Sequence, residues 1–175
     1  IQGSGVGPQT GPFALKQWGH TKHQGGALMD VHIIETGLAN MASVEAGLRR
    51  LECHVRRTAD PRDVLEAERV VLPGVGQFGA GMNQLRQAGL IGPLRQRIDA
   101  GRPTLAICLG LQLLAESSDE SPGIEGLGCL PVNVTAFPKT VRSPQFGWNT
   151  VLSDTIPVLS DGGSVYFANA YRVTE

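Results

Sequence analysis

The chain has 175 residues, of which 41% are hydrophobic and 18% charged, and its formal net charge is −1 at pH 7. This length predicts one domain, and the near-neutral charge excludes the basic surface by which proteins bind nucleic acid. No apolar run reaches the roughly 20 residues of a membrane-spanning helix, and no charged-then-apolar signal segment opens the sequence. We therefore expect no nucleic-acid or membrane partner and a location in the cytoplasm.

The first part of the chain differs in composition from the rest. Residues 1–28 are rich in Gly, Gln and Pro and follow neither a helical nor a strand period, as is typical of a linker or a disordered tail. We predict a disordered or non-native leader over 1–28 and one domain over 29–175. Met29 is a candidate true start of the protein.

From Met29 onward, short apolar runs alternate with segments of helical periodicity. The patterns predict strands over 31–34, 54–57, 69–72 and 104–107, and helices over 41–51, 63–67, 81–88 and 91–100. Further strands are predicted over 132–137, 149–152 and 164–167. This alternation predicts an α/β fold of three layers, with a mostly parallel sheet covered by helices on both faces. Ligands of such sheets bind beyond the carboxyl ends of the strands.

Cys108 stands at one of those carboxyl ends. Residues 104–114 read T-L-A-I-C-L-G-L-Q-L-L, an apolar strand that meets the cysteine at a tight turn and continues as an apolar helix. This is the layout of a nucleophile elbow, in which small residues on either side, here Ala106 and Gly110, let strand and helix approach closely. The start of a helix also favours thiolate over thiol. Cys108 is therefore the candidate nucleophile.

The other two cysteines have no such context. A cysteine within an apolar run is more often buried packing, and we interpret Cys53 and Cys129 in that way. Three cysteines without regular spacing exclude a disulfide framework, and no Cys-x-x-Cys pair indicates a metal site.

A second turn precedes the elbow by one βα unit. Gly74 and Gly76 flank Val75 after Pro73, and paired glycines permit positive φ and a close approach of the backbone to a ligand. Backbone N–H groups of this turn and of Leu109 would form the two-donor oxyanion hole that acyl transfer needs. The alternative is a turn that simply ends a strand.

Three segments in this order carry a family resemblance: P-G-V-G-Q-F at 73–78, A-I-C-L-G-L-Q-L-L at 106–114 and P-Q-F-G-W-N at 144–149. They resemble class I glutamine amidotransferases, in particular the family of glutaminase subunits of imidazole glycerol phosphate synthase. The resemblance runs from about Met29 to the last residue and implies a flavodoxin-like fold whose C-terminal part is missing. It also implies hydrolysis of glutamine to glutamate and ammonia without a cofactor, and a (βα)₈-barrel cyclase partner that uses the ammonia in histidine biosynthesis.

The resemblance assigns roles to particular residues. Cys108 would attack the side-chain amide of glutamine, and N–H groups of the glycine turn and of Leu109 would hold the intermediate. The glutamine pocket would include Gln112, Asn169, Ala170 and Tyr171. The partner interface would include Asn40, Trp148 and Asn149, although a turn cap, a packing aromatic and a turn residue are the alternatives for these three. No metal is implied.

The family's thiol is activated by the histidine and glutamate of a His-Pro-Glu motif, which these 175 residues do not contain. The four histidines are His20, His23, His32 and His54, and none stands where the base is expected. Loss of a triad member costs several orders of magnitude in rate, so we expect this polypeptide by itself to be nearly inactive as a glutaminase.

Four positions depart from the family pattern: Ala106, Glu35-Thr36, Gln145-Phe146 and Asn169-Ala170. The last two bear on partner coupling rather than on the fold.

Three alternative functions remain open. The chain is also compatible with another glutamine amidotransferase, such as that of pyridoxal phosphate synthesis, although Gly147-Trp148-Asn149 argues against it. A catalytically inactive binding or regulatory subunit would not need the base. A cysteine hydrolase or redox-sensing domain would need a base from elsewhere in the sheet.

Overall fold

The structure is a computed structural model that describes residues 28–35, 37, 40–152 and 163–174. The leader predicted over 1–28 lies outside the described residues except for Leu28. Within the described ranges, no helix combines the length and the apolar composition that crossing a membrane would require.

The first half of the domain is a four-stranded sheet in the order β2-β1-β3-β4, with every pair parallel. The strands are β1 (Met29–Ile34), β2 (Cys53–Thr58), β3 (Val70–Gly74) and β4 (Thr104–Cys108). The helices are α1 (Met41–Arg50), α2 (Pro61–Glu66), α3 (Phe78–Gln87), α4 (Ile91–Asp99) and the short α5 (Leu109–Gln112). The predicted βα alternation is confirmed.

Helix α2 begins earlier than the predicted residue 63 because a cap and a proline set its start. The Asp60 carboxylate accepts a hydrogen bond from the N–H of Arg62 at 2.8 Å, and Pro61 occupies the first turn. Proline is favoured there because its φ is already helical and its missing N–H has no partner to lose. The Asp-Pro pair is thus the start signal.

The two faces of the sheet bury separate cores, as alternation of side chains along a strand requires. Val31 and Ile33 of β1 pack with Met41 and Leu48 of α1 on one face. On the other face, a larger core joins Ile34 to residues of α2, α3 and α4. The predicted placement of helices on both faces is confirmed.

The second half of the domain adds two smaller sheets. Their strands are β5 (Ser117–Ser118), β6 (Asn133–Ala136), β7 (Gln145–Val151), β8 (Gly163–Asn169) and β9 (Tyr171–Thr174). β6 pairs in parallel with β5 and antiparallel with β9, whereas β7 and β8 form an antiparallel pair. The predicted strands over 132–137, 149–152 and 164–167 correspond to β6, β7 and β8. β5 and β9 were missed, and β7 begins at Gln145 rather than at 149.

The prediction that an apolar helix continues through residue 114 is wrong. α5 ends at Gln112, and Leu113 and Leu114 form a buried turn. Their carbonyls are not free to extend the helix: the Leu113 carbonyl accepts from the N–H of Leu127 at 2.8 Å, and that of Leu114 accepts from the N–H of Cys129 at 2.9 Å. The apolar run therefore reflects burial, and a distant loop ends the helix.

Candidate active site

Cys108 lies in a strained turn between β4 and α5. Its φ is 54° and its ψ is −116°, a combination that non-glycine residues rarely adopt, and the residue is exposed. Such a conformation costs on the order of 1–3 kcal/mol and persists only where the surrounding structure enforces it. An exposed cysteine held above the end of a parallel strand is the predicted nucleophile elbow. Because α5 has only one turn, the helix dipole at Cys108 is weaker than the sequence predicts.

The glycine turn lies directly beside the elbow. Gly74, the last residue of β3, is the register partner of Cys108 on β4. A Cβ on Gly74 would stand 2.9 Å from both the Leu109 Cβ and the Gly110 nitrogen, so only glycine fits between the strand and α5. Position 76 needs glycine for a different reason: its φ is 103°, in the left-handed region that residues with a Cβ rarely adopt. The structure thus brings together Cys108, Leu109 and the turn, as the sequence predicts.

The turn also presents hydrogen-bond donors. In the described part of the chain, the N–H groups of Val75 and Gly76 donate to no acceptor. Unpaired N–H groups beside a nucleophile are suited to stabilise a developing oxyanion.

Gln112 is the last residue of α5 and is half-buried. Asn169, Ala170 and Tyr171 form the bend between β8 and β9, where the Asn169 side-chain amide donates to the Tyr171 carbonyl at 2.9 Å. The Asn169 Oδ1 is buried and has no hydrogen-bond partner within the described ranges. No hydrogen bond between described residues joins this bend to Cys108, so the structure does not link these pocket residues directly to the elbow.

The two described histidines lie outside hydrogen-bonding distance of the Cys108 thiol. His54 pairs with Asp30, and His32 lies within β1. Neither forms a hydrogen bond with Cys108 among the described residues. In the same ranges, no group of three His, Cys, Asp or Glu side chains is arranged to hold a metal ion.

The other cysteines are packed. Cys53 is buried in the core beside α1, and Cys129 is half-buried against the larger core. Burial raises the pKa of each thiol, which favours the uncharged form. Their interpretation as packing residues is confirmed.

The predicted interface residues have different surroundings. Asn40 caps α1 by accepting a hydrogen bond from the N–H of Ser43 at 3.3 Å, and the Asn149 amide donates to the Gly147 carbonyl at 3.1 Å. Trp148 is 72% exposed and meets Tyr166 edge to face, with ring centroids 5.6 Å apart.

Phe146, which the sequence singles out only as a departure from the family pattern, and Tyr166, which it assigns to no site, are 68% and 53% exposed. Trp148 is the register partner of Tyr166 and stands two residues from Phe146, so the three aromatic rings share one face of the β7–β8 pair. We call Phe146, Trp148 and Tyr166 the aromatic face. The period-two spacing of Phe146 and Trp148 was the signal that would have revealed it.

A parallel sheet whose edge carries a strained, exposed cysteine beside a glycine turn places the chain among the glutamine amidotransferases. Residues 43–152 match the family model of the CobB/CobQ-like glutamine amidotransferase domain. The fold is similar to that of a solved glutamine amidotransferase, with a TM-score of 0.56 and 20% identity over 69% of this chain and 62% of that one.

Two relatives are much closer in sequence, and both are imidazole glycerol phosphate synthase subunits HisH. The chain is 38% identical to that of Syntrophotalea carbinolica, covering 81% of this chain and 74% of the relative. It is 41% identical to that of Methanopyrus kandleri, covering 83% and 72%. The chain belongs to the HisH family of imidazole glycerol phosphate synthase subunits, and the resemblance seen in its motifs is confirmed.

Proposed function

We propose that this chain is the glutaminase subunit of an imidazole glycerol phosphate synthase, and that it hydrolyses glutamine to glutamate and ammonia for histidine biosynthesis. The observation that carries the proposal is the pairing of Cys108 with Gly74, in a chain 38–41% identical to HisH subunits. Three free cysteines are compatible with the reducing cytoplasm, where we place the protein.

The reaction proceeds through a thioester on Cys108. The thiolate attacks the side-chain amide carbon of glutamine, and the carbonyl oxygen becomes an oxyanion held by N–H groups of the 74–76 turn and of Leu109. Collapse of this intermediate breaks the C–N bond, and the nitrogen leaves as ammonia after taking up the proton that the Cys108 thiol released. Water then hydrolyses the thioester, which releases glutamate and regenerates the thiol. Gln112 and the 169–171 bend contribute to the glutamine pocket.

The strained backbone of Cys108 serves this chemistry. With φ at 54°, the turn holds the thiol exposed next to donors whose positions are set by β3 and α5. Donors fixed before the reaction need no reorganisation when the oxyanion forms, which is the source of their effect on rate.

The aromatic face is proposed to dock on the (βα)₈-barrel cyclase subunit that consumes the ammonia. Tyr, Trp and Phe are enriched at the centres of protein interfaces, and three such rings are exposed together here. Asn40 and Asn149 are assigned to the same interface. Each already makes a local hydrogen bond that fixes its side chain.

The test measures glutamate release by a complex of the cyclase partner with a chain that also carries the family's His-Pro-Glu motif, because the 175 residues by themselves are expected to be nearly inactive. We expect Cys108→Ser to abolish glutamate release and Cys129→Ala to retain it, because only the first removes the nucleophile. A glutamine-mimicking electrophile should label Cys108, and glutamine should protect it. Absence of glutamate release from the unsubstituted complex, with Cys108 labelled at the same rate with and without glutamine, would contradict the proposal and favour a binding subunit.

A further inference from the structure

Helix α3, which follows the glycine turn, is capped by residues far away in the sequence. The first N–H groups of a helix have no partner within it, and a side chain just before the helix usually accepts from one of them. Gln77, at that position, makes no such hydrogen bond. Instead, the Phe78 N–H donates to a carboxylate oxygen of Glu120 at 2.7 Å, and the Gly79 N–H donates to the Ser121 hydroxyl at 2.9 Å.

These two acceptors are themselves held in place. The Glu120 N–H donates to the hydroxyl of buried Ser118 at 3.2 Å, and the Ser121 N–H donates to the Ser118 carbonyl at 3.1 Å. The N–H of Asp119 donates to the Val134 carbonyl in β6 at 2.9 Å. Hydrogen bonds therefore fix the loop after β5 in the position from which it caps the start of α3.

The start of α3 and the loop after β5 are closely packed as well as hydrogen-bonded. A Cβ on Gly79 would stand 3.0 Å from the Ser121 hydroxyl oxygen, so the helix start and the loop touch. A carboxylate at a helix N-terminus also interacts favourably with the helix dipole, and hydrogen bonds to ionised acceptors are the stronger ones. Glu120 therefore provides both a hydrogen bond and a charge at this end of α3.

Only three residues, 75–77, separate the anchored start of α3 from Gly74, the partner of Cys108 on β3. The N–H groups of Val75 and Gly76, which donate to no acceptor among the described residues, lie on that short connection. We propose that Glu120 and Ser121 are positioning residues, which fix the glycine turn, and with it the oxyanion donors, relative to Cys108. This inference rests on the glutaminase function proposed above.

The kinetic test compares Glu120→Ala, Glu120→Gln and Ser121→Ala in the full chain bound to its cyclase partner. We expect kcat for glutamine hydrolysis to fall about 10- to 100-fold in both alanine variants, as for misplaced oxyanion donors, with KM changed less than about twofold. Glu120→Gln should recover part of kcat because its amide oxygen still accepts a hydrogen bond. Glu125→Ala is the matched control. Glu125 is exposed in the same loop, and its carboxylate has no partner among the described residues.

A second measurement separates positioning from unfolding. Alkylation of Cys108 by iodoacetamide forms an S–C bond and expels iodide without an oxyanion, so its rate should be unchanged in all variants. A rise in KM at constant kcat would overturn the proposal, because it would indicate a direct substrate contact. A parallel loss of alkylation and hydrolysis, or the same loss in Glu125→Ala, would also overturn it.

Hydrogen–deuterium exchange tests the anchor independently of activity. Backbone amides of 74–79 should exchange faster in Glu120→Ala and Ser121→Ala than in the unsubstituted chain, whereas those of β1 should not change. Unchanged exchange over 74–79 would overturn the positioning role. If the unsubstituted complex hydrolyses no glutamine, the proposed function fails, and exchange alone then decides whether Glu120 and Ser121 hold the turn.

Discussion

Gly110 lies against the backbone of Leu72, so closely that a Cβ at position 110 would stand 1.9 Å from the Leu72 carbonyl oxygen. Leu72 belongs to β3 and Gly110 to α5, the helix that follows Cys108. This contact sets the distance between the elbow and the strand that carries the glycine turn. The site therefore depends on a hydrogen atom in place of a side chain.

Gly110→Ala should accordingly displace α5 from β3 and lower glutaminase activity by at least about 100-fold, as a misplacement of about 1 Å does. We also expect a loss of roughly 1–3 kcal/mol in the free energy of unfolding, because the neighbouring atoms are backbone. Gly92→Ala in α4 is the control, since a Cβ there meets no atom of the described residues within 4 Å. Activity of Gly110→Ala equal to that of Gly92→Ala would contradict the prediction.

Arg97 is a buried structural residue rather than a site residue. It is fully buried, and its guanidinium donates to the carbonyls of Ala67 and Pro103, each at 2.7 Å. Burial lowers its pKa to about 10, so it stays charged at neutral pH. Arg97→Met removes these two donors, although each carbonyl keeps one other donor at 3.1–3.2 Å. The loss of hydrogen bonds from a charged group should cost about 1–3 kcal/mol in urea unfolding. Exposed Arg50→Met should cost less than about 0.5 kcal/mol. Equal losses of unfolding free energy in the Arg97 and Arg50 variants would contradict the structural role of Arg97.

The three cysteines should differ in reactivity toward a small alkylating reagent at pH 8. Cys108 is exposed and should react first, whereas burial raises the pKa of Cys53 and Cys129 and leaves them mostly uncharged thiols. Their labelling should increase as the pH rises above about 9, since thiolate is the reactive form. Peptide mass spectrometry would measure the order, and labelling of Cys129 before Cys108 would show it to be wrong.

The Asp30–His54 pair predicts a local pH dependence. A hydrogen bond from His54 holds the pKa of Asp30 below its usual value of 3.8. Because the folded-state pKa lies below the unfolded one, this carboxylate stabilises the fold above the unfolded pKa, and the contribution is lost as pH falls through the folded pKa. In an NMR titration, His54→Ala should return the Asp30 pKa toward 3.8. An unchanged pKa would exclude the pair as its cause.

Trp148→Ala should affect the partner more than the fold. The side chain is 72% exposed, so we expect its loss to change the free energy of unfolding by less than about 0.5 kcal/mol. At the centre of an interface, a tryptophan contributes about 2 kcal/mol or more, and the Kd for the cyclase should rise at least about 30-fold. Leu51→Ala, which removes an equally exposed apolar residue at the end of α1, should leave Kd unchanged. An equal change in Kd in both variants would argue against docking of the aromatic face on the cyclase.

Several features of the fold follow from local sequence patterns. Alternating side chains and helical periods predict the parallel sheet and the helices on both of its faces, because burial of apolar residues repeats with the period of each element. The small residues around Cys108 and the glycines of the turn predict the elbow, because both need close backbone contact. These signals lie within a few residues of the atoms they position.

Other features were decided only by the tertiary structure. The length of α5 depends on N–H groups of residues 127 and 129, which occupy the carbonyls that a longer helix would use. The aromatic face depends on the register that sets Trp148 opposite Tyr166. The cap of α3 comes from 42 residues away. The sequence by itself determined which short segments form strands, helices and the cysteine elbow. Contacts between distant segments leave no period in the sequence, and so only the folded chain decided where α5 ends, which aromatic rings share an exposed face and which residues cap α3.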